Sequence, residues 1–165
     1  MCENNIKSER SRKAVDESRT EQVHIILPMD VNASFSLFGG KLMEWIDIVA
    51  AVVARRHSGQ QVTTVAVDHL EFLAPAKLND MVVLNGRMTY TGRTSMEVCV
   101  ETYVETVENG GERKLINRAY LTMVALDRNL RPTEVPMLSL CTTEEQADFE
   151  RAQKRVERRK KAKND

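Results

Sequence analysis

The sequence predicts an α+β domain in which one five-stranded antiparallel sheet wraps around a single long helix. Two observations carry this prediction. Residues 42–54 are apolar with two charged exceptions and lie in a segment of helical length, 39–57, and the four segments after it alternate apolar and polar residues with the two-residue period of β-strands. The linkers between these strands are short enough for hairpins, which favours antiparallel neighbours. One sheet packed on one helix is a stable layered arrangement.

The first two elements are a short strand and the long helix. The strand is predicted at 23–30, VHIILPMD, which is apolar and closed by Pro28. A loop then leads to two adjacent glycines, whose lack of a side chain allows a close backbone approach where the helix begins. The helix is predicted over 39–57, and its last turn carries cations that suit the negative end of the helix dipole, namely Arg55, Arg56 and His57.

The rest of the chain supplies the other strands and a second helix. Four strands rich in β-branched residues are predicted at 61–73, 81–90, 94–107 and 113–127. The terminal segment 143–163, TEEQADFERAQKRVERRKKAK, is predicted as a charged helix with Thr143 as its cap. Spaced acidic residues and the lack of interleaved aromatics favour a solvated helix over a nucleic-acid-binding one.

The length of 165 residues predicts one domain with tails. Residues 1–20 are polar and offer few groups for a core, so they are predicted to be a disordered N-terminal tail. The folded domain is expected over residues 21–140. Residues 141–165 form the charged helical C-terminal tail.

Charge and hydropathy exclude several classes of partner. The formal net charge is zero, and residues 21–140 hold eleven basic and fourteen acidic side chains, whereas a nucleic-acid-binding surface is usually basic. The N-terminus has no apolar core of a signal peptide, and the longest apolar run, 48–54, is too short to span a bilayer. We therefore expect a cytoplasmic protein without nucleic-acid or membrane partners. The three cysteines have no metal-binding spacing and predict reduced thiols without a metal site: Cys2, Cys99 and Cys141.

Asp47 is an unexpected residue in the apolar helix. Between residues 42 and 54 the only other charge is Glu44, and a bare buried carboxylate would cost roughly several kcal/mol. One interpretation is structural: Asp47 bonds a side chain of a dimer mate, and Asn32 in the preceding loop makes an Asx-turn. The other is functional: Asp47 is a general base that activates water. The pattern by itself leaves both open.

The apolar helix also predicts self-association. A five-stranded sheet covers one side of a helix, and this helix has no polar side to face solvent. A second copy of the chain is the simplest cover for the remaining surface, so at least a homodimer is expected.

Three long segments carry a family resemblance: MDVNASFSLFGGKLMEWIDIVAAVVARRH, VTTVAVDHLEFLAPAKLNDMV and GRTSMEVCVET. They resemble the hot-dog-fold acyl-CoA thioesterases of the cytosolic, long-chain-active kind, including bacterial single-domain members, and the match covers residues 22–137. The resemblance implies hydrolysis of fatty acyl-CoA to fatty acid and coenzyme A. It implies no cofactor, because coenzyme A is part of the substrate and product. It also implies dimers with a continuous ten-stranded sheet and commonly a homohexamer, a trimer of such dimers.

The resemblance assigns roles to individual residues. The catalytic aspartate of the family falls on Asp47 and the loop asparagine on Asn32, and these two are expected to meet across the dimer interface. The paired glycines fall on Gly39 and Gly40, whose backbone N–H groups would polarise the thioester carbonyl, with Gly40 counted as catalytic. The turn GRTS resembles the coenzyme A contact and implicates Arg93, Thr94 and Ser95, with Arg93 best suited to phosphate unless it is simply an exposed hairpin cation.

Two alternative functions remain. A dehydratase of hydroxyacyl thioesters with the same fold usually pairs a histidine with the helix carboxylate, but no histidine lies between His24 and Arg55. A non-catalytic acyl-CoA sensor usually carries a DNA-binding segment, and residues 1–20 are too short and polar for one. Both alternatives are less favoured than a hydrolase.

Overall fold

The computed structural model describes residues 10–162. The helices and strands follow the chain in this order: β1 Arg12–Ala14, β2 Thr20–Ile25, α1 Gly39–Ser58, β3 Gln61–Phe72, β4 Met81–Thr91, β5 Ser95–Thr106, β6 Glu112–Leu126, β7 Met137–Ser139 and α2 Thr143–Ala162. The long helix and the four strands after it lie within two residues of the bounds that the sequence predicts. The first main strand begins three residues earlier than predicted, and Pro28–Asp30 forms a 3₁₀ turn instead of its end.

The main sheet confirms the predicted architecture. Five antiparallel strands are arranged in the order β2-β4-β5-β6-β3, and α1 packs against all five. The face of α1 that contacts the sheet is fully apolar apart from His57, and its buried residues are Leu42, Trp45, Ile46, Val49, Ala50, Val53, Ala54 and His57. Removing these side chains from water is the main source of stability for such a layer pair, at about 25 cal/mol per Å².

One strand connection differs from the prediction. The linker APAKLND was expected to form a hairpin, but β3 pairs with β6 at one edge of the sheet, and β4 pairs with β2 and β5. The linker backbone bonds instead to the loop before α1: Leu37 N–H donates to Ala76 O at 2.7 Å, and Leu78 N–H donates to Phe35 O at 3.1 Å. The linker is short enough for a hairpin, but its backbone makes these long-range hydrogen bonds and β3 and β4 are not paired.

Two glycines affect α1: one allows it to pack closely on the sheet, and the other ends it. A Cβ atom on Gly86 of β4 would lie 2.6 Å from Val49 Cγ1 and 2.8 Å from Val53 Cγ2, so this glycine allows the helix to approach the strand. Gly59 ends the helix in the left-handed conformation, with φ of 67°, and its N–H donates to Arg55 O at 2.8 Å. Gly86 on the sheet thus allows the close approach of α1, and Gly59 at the end of the helix sets where it stops.

The opposite side of α1 carries apolar side chains that the sheet does not cover. Met43 and Ile48 are each 45% exposed, although both are apolar. Strand β3 is an edge of the sheet, and its Val65 and Val67 are also exposed. Contiguous apolar surface on a helix and an adjoining sheet edge is typical of an interface. No helix within residues 10–162 is both long and apolar enough to cross a membrane.

The N-terminal segment corrects the expectation of a disordered tail. Residues 10–20 are ordered, whereas residues 1–9 lie outside the described part of the chain. Strand β1 pairs in parallel with β7, and Val15 is 1% exposed. The composition of this segment suggested too few core groups, but its order comes from main-chain pairing with a strand more than 120 residues away.

The second helix is present over the predicted residues, but its cap is Thr142 and not Thr143, because Glu145 N–H donates to Thr142 Oγ1 at 3.1 Å. It is also not simply solvated. Helix α2 packs on the face of the sheet opposite α1, and its Asp148, Ala152 and Val156 are buried. Glu97 on this face is 1% exposed and receives Arg155 bidentately, with Nη2 2.7 Å from Oε1 and Nε 3.1 Å from Oε2. The guanidinium carbon of Arg155 also lies 3.8 Å from the centre of the Tyr120 ring.

A second ion network holds the first half of α2. Arg87 Nη1 donates to Glu101 Oε2 at 2.8 Å, and its Nε donates to Asp148 Oδ2 at 3.0 Å. Burial opposes ionisation of Glu101, but Arg87 and Arg118 outweigh that cost and hold the pKa of this carboxyl below its usual value. Beneath this network, burial raises the pKa of the Cys99 thiol to about 12, so it is protonated near neutral pH.

Cys99 and Cys141 are free thiols in the structure. Cys2 lies outside the described residues. The expectation that all three are reduced in the cell stays a prediction.

Candidate active site

Asp47 lies on the side of α1 that faces strand β3, where its carboxylate is exposed. Thr64 Oγ1 of the same chain donates a hydrogen bond of 2.6 Å to Asp47 Oδ1. Hydrogen bonds to a charged acceptor are among the stronger ones in proteins, so this contact orients the carboxylate. The threonine hydroxyl also lies 3.4 Å from Met123 Sδ, which places it between the helix and β6.

The carboxylate stands at one side of a mainly apolar cleft between α1 and the edge of the sheet. The cleft has a volume of about 400 Å³ and is lined by Gly40, Met43, Glu44, Ile46, Asp47, Thr64, Val67, Leu70 and Leu121. An apolar cleft with few convergent polar groups is typical of a site for an apolar ligand that reacts at one end. A chain of methylene groups would fit such a lining.

The N-terminus of α1 opens at the same place. Lys41 N–H and Leu42 N–H donate to Phe38 O at 3.0 and 3.1 Å. Within residues 10–162, the N–H groups of Gly39 and Gly40 have no backbone acceptor. Free N–H groups at the positive end of a helix dipole stabilise an anion or a developing oxyanion.

Asn32 is fixed in the loop before α1 by its own side chain. Its Oδ1 accepts hydrogen bonds from Ser34 N–H at 2.9 Å and Ser36 N–H at 3.3 Å. These are the contacts of the Asx-turn that the structural interpretation of the sequence predicts. Two N–H donors need an acceptor, so the amide atom that they contact is the oxygen Oδ1. The amide nitrogen Nδ2 points away from them and has no acceptor among residues 10–162. Asn32 therefore retains two N–H donors on a rigid loop.

The residues selected from the sequence are distributed over three places in one chain. Asp47 and Gly40 share the apolar cleft. Asn32 and Gly39 line a neighbouring cleft together with Phe72, whose ring lies 3.6 Å from where a Cβ atom of Gly39 would stand. Of the remaining three, Arg93 and Thr94 are in the turn between β4 and β5 and Ser95 is the first residue of β5; they line neither cleft.

The 92–95 turn is nevertheless at the same end of the sheet as Asp47. Ser95 and Met96 begin β5, Met96 pairs with Met123 of β6, and Met123 pairs with Thr64 of β3. Two strand spacings, about 10 Å, therefore separate the start of β5 from Thr64. The Arg93 side chain is 85% exposed, and its nearest carboxylate is Glu134 at 3.9 Å, so it is accessible to a ligand.

Sequence reasoning missed Thr64. It lies in a strand of β-branched residues, and nothing in that pattern distinguishes it from Thr63. The position of Asp47 is the feature that could have indicated Thr64. Once β3 is known to run beside α1, a hydroxyl on β3 opposite Asp47 is expected to face the helix. That register is a tertiary property and is not encoded in the local alternation.

Comparison with known proteins identifies the family. A family model described as Thioesterase superfamily matches residues 36–110. The uncharacterized acyl-CoA thioester hydrolase YkhA of Bacillus subtilis is 38% identical over 147 residues, which cover 89% of this chain and 85% of that protein. The chain belongs to the thioesterase superfamily.

Solved structures of superfamily members have the same fold. An acyl-CoA hydrolase from Staphylococcus aureus, in complex with butyryl coenzyme A, coenzyme A and coenzyme A disulfide, is 36% identical, with a TM-score of 0.88 and 92% of each chain covered. Variants of that hydrolase in which an asparagine, an aspartate or a threonine is replaced by alanine match equally well. The hexameric thioesterase y2039 from Yersinia pestis is 33% identical, with a TM-score of 0.64, and covers 70% of this chain and 93% of its own.

The histidine needed by the dehydratase alternative is not beside the carboxylate of this thioesterase-superfamily chain. His24 stacks on Trp45, with ring centroids 4.1 Å apart and planes 3° from parallel. Trp45 belongs to the buried face of α1, whereas Asp47 is exposed. Among the described residues, the hydrogen-bond donor to Asp47 is the threonine on β3.

Proposed function

We propose that this protein hydrolyses fatty acyl-CoA thioesters to free fatty acids and coenzyme A, with Asp47 as the general base. One observation carries the proposal: the Asp47 carboxylate, oriented by Thr64 at 2.6 Å, stands where the apolar cleft meets the free N–H groups of the α1 N-terminus. A base, a place for an acyl chain and an oxyanion site are the three parts that thioester hydrolysis needs.

The residues act as follows in this proposal. The acyl chain occupies the apolar cleft, and the N–H of Gly40 polarises the thioester carbonyl. Asp47 accepts a proton from water through Oδ2, because Oδ1 is occupied by Thr64, and the water oxygen bonds to the carbonyl carbon. The resulting oxyanion is stabilised by the helix N-terminus. When it collapses, the carbon–sulfur bond breaks, and the departing thiolate takes the proton from Asp47.

Asn32 is proposed to complete the site from the partner subunit. It lines a different cleft from Asp47 in its own chain, and its two free donors suit an attacking water or a thioester carbonyl. The asparagine and the aspartate replaced in the Staphylococcus aureus variants are 15 positions apart, as Asn32 and Asp47 are. The aspartate and the threonine replaced there are 17 positions apart, as Asp47 and Thr64 are.

The assembly follows from the same surfaces. We propose a homodimer formed through the exposed apolar side of α1 and the β3 edge, with three dimers in a hexamer. Uncovered Met43, Ile48, Val65 and Val67 support the dimer, and hexameric superfamily members support the larger assembly. No cofactor is needed in this proposal, because water, the Asp47 and Asn32 side chains and the backbone N–H groups of the α1 N-terminus supply every step.

Complementation tests whether one site draws on two chains. Asn32→Asp retains the oxygen that accepts Ser34 and Ser36 N–H but removes the free donors, and Asp47→Ala removes the base. Each homodimer should be nearly inactive. Random pairing during co-expression makes about half of the dimers mixed, each with one intact site, so activity per subunit should recover to about a quarter of wild type. The measurement is release of free thiol from acyl-CoA.

The control is a mixture of the two variants purified separately, which should stay inactive while subunits do not exchange. Verified mixed dimers without activity would contradict a site shared between chains. Wild-type protein that binds acyl-CoA but releases no thiol would be the sensor instead of the enzyme.

Arg93→Ala tests recognition of the coenzyme A phosphates. The side chain is exposed and only loosely paired, so its loss should remove ground-state binding without touching the reacting atoms. We expect KM for acyl-CoA to rise roughly tenfold with kcat little changed. Arg158→Ala on the exposed face of α2 is the matched control and should leave both constants unchanged. Equal affinity of Arg93→Ala and wild type for free coenzyme A would reject the assignment.

A further inference from the structure

The Arg10 side chain reaches from the N-terminal segment into the turn assigned to coenzyme A. Its Nη2 donates to Gly92 O at 2.8 Å and to Val135 O at 2.5 Å, and its Nε lies 3.2 Å from Val135 O. Gly92 is 82 residues from Arg10 in the sequence, and Val135 is 125 residues from it. One guanidinium therefore links the N-terminal segment, the 92–95 turn and the segment before β7.

The backbone that carries Arg10 is itself anchored. Met137 N–H donates to Ser11 O at 2.8 Å, which continues the pairing of β1 with β7. Val15 is buried in the core. Lys13 Nζ donates to the Arg56 carbonyl at the end of α1, so the same segment also contacts the helix that carries Asp47. Arg10 thus extends from a fixed strand and loses little freedom when it bonds the turn.

Three backbone hydrogen bonds also support the 92–95 turn. Gly92 N–H donates to Ser95 O at 2.8 Å within the turn, and from outside it Val135 N–H donates to Arg93 O at 2.9 Å and Ala125 N–H donates to Thr94 O at 3.0 Å. Gly92 has no side chain to pack. The two carbonyl groups of Gly92 and Val135 are the acceptors of Arg10 on either side of the bond between Val135 and Arg93. Arg10 therefore reinforces, through its side chain, the backbone bond between the two segments that set the direction of the Arg93 side chain.

Arg10 also balances the charge beside Arg93. The carboxylate of Glu134 lies 3.8 Å from Arg10 Nε and 3.9 Å from Arg93 Nε. With two cations near one carboxylate, this corner has a net positive charge that favours a phosphate. Without Arg10, Glu134 would neutralise Arg93 alone.

We propose that Arg10 is a positioning residue for coenzyme A recognition: it holds the 92–95 turn through the Gly92 and Val135 carbonyls and shares Glu134, so that Arg93 is free to bind phosphate. The inference rests on the proposed hydrolase function and on the assignment of this turn. Arg10 contacts neither the acyl cleft nor Asp47, so its influence is confined to the nucleotide end of the substrate.

The test compares Arg10→Ala with Arg12→Ala on two substrates that share one acyl chain, acyl-CoA and acyl-pantetheine. Arg12 lies two residues further along the same segment, at the start of β1, where it is exposed and makes no side-chain hydrogen bond within residues 10–162, so it is a matched control. Arg10→Ala should raise KM for acyl-CoA roughly three- to tenfold, the effect of about one net hydrogen bond. Its kcat and its KM for acyl-pantetheine should stay within about twofold of wild type, because pantetheine lacks the phosphates.

Two further variants separate positioning from simple structural support. Arg10→Lys keeps the charge but cannot span both carbonyls, so its KM for acyl-CoA should be intermediate. Adding Glu134→Gln to Arg10→Ala should recover part of the lost affinity, because Arg93 is then released from its carboxylate. A lowered melting temperature with unchanged KM would overturn the proposal, as would equal KM increases for both substrates.

The failure of this inference is distinguishable from failure of the proposed function. Wild-type protein that releases thiol, with Arg93→Ala defective and Arg10→Ala normal, would overturn the Arg10 role and leave the hydrolase intact. Wild-type protein without thiol release would overturn the function itself, and calorimetric binding of free coenzyme A to the Arg10 and Arg12 variants would still test the turn.

Discussion

Replacing Asp47 by asparagine is expected to lower kcat for acyl-CoA hydrolysis about 10²–10⁴-fold, the usual contribution of a positioned general base. Asparagine has nearly the same shape, and its oxygen can still accept the 2.6 Å hydrogen bond from Thr64. It cannot accept a proton from water at neutral pH. The change therefore removes the base and leaves the local structure in place, which release of free thiol will measure directly.

Two comparisons make this result specific. Glu157→Gln makes the same carboxylate-to-amide change on the exposed face of α2 and should keep full activity. KM should change little in Asp47→Asn, because the acyl cleft and the 92–95 turn are untouched. A variant that retained more than about a tenth of wild-type turnover would remove Asp47 from the role of general base.

Replacing Arg155 by methionine is expected to cost about 3–5 kcal/mol of folding free energy. Glu97 is 1% exposed, and after the substitution its carboxylate would keep Thr89 Oγ1 at 2.7 Å as a donor but lose its charge partner. Leaving one buried charge without its partner lowers stability far more than replacing both charges of the pair by apolar groups. Urea unfolding at one fixed protein concentration is the measurement, because assembly also contributes to stability.

The double variant Arg155→Met with Glu97→Leu should recover much of this loss, since it removes both charges and leaves apolar groups of similar size. Arg19→Met is the matched control, because its pairing with Asp16 is exposed and should contribute at most about 1 kcal/mol. A single variant as stable as this control would mean that α2 is held by its apolar contacts alone.

Local patterns were sufficient for the long helix, the charged helix and the strands of the main sheet, although they did not indicate β1 and β7. The segment 39–57, with its mainly apolar run over 42–54, became α1, and its end follows from Gly59, whose left-handed conformation is a local preference. Each alternating segment became a strand because side chains on a strand point to opposite faces, a property that any short window of sequence reports. Asp47 could be selected for a similar reason: one carboxylate in an apolar helix conflicts with its surroundings.

Local patterns could not supply the neighbours of these elements. The linker after β3 has the length of a hairpin, yet β3 lies at the sheet edge beside β6 because the linker backbone bonds to the loop before α1. That arrangement brings Thr64 to Asp47, a partner 17 residues away on another element. The choice between alternative pairings depends on the total area buried and the bonds satisfied by the whole chain, which no single segment contains.

The sequence by itself determined the class of the fold, the bounds of the main helix and of the four strands after it, and the carboxylate that we propose as the base. The tertiary structure decided the strand order, the Thr64 contact, the docking of α2 through Glu97 and Arg155, and the ordering of residues 10–20 by β7. The physical reason is the range of the forces that act. Periodicity and backbone preference operate within a few residues. The Glu97–Arg155 ion pair joins groups 58 residues apart and the β1–β7 pairing joins residues 125 apart, and only folding of the whole chain brings such groups together.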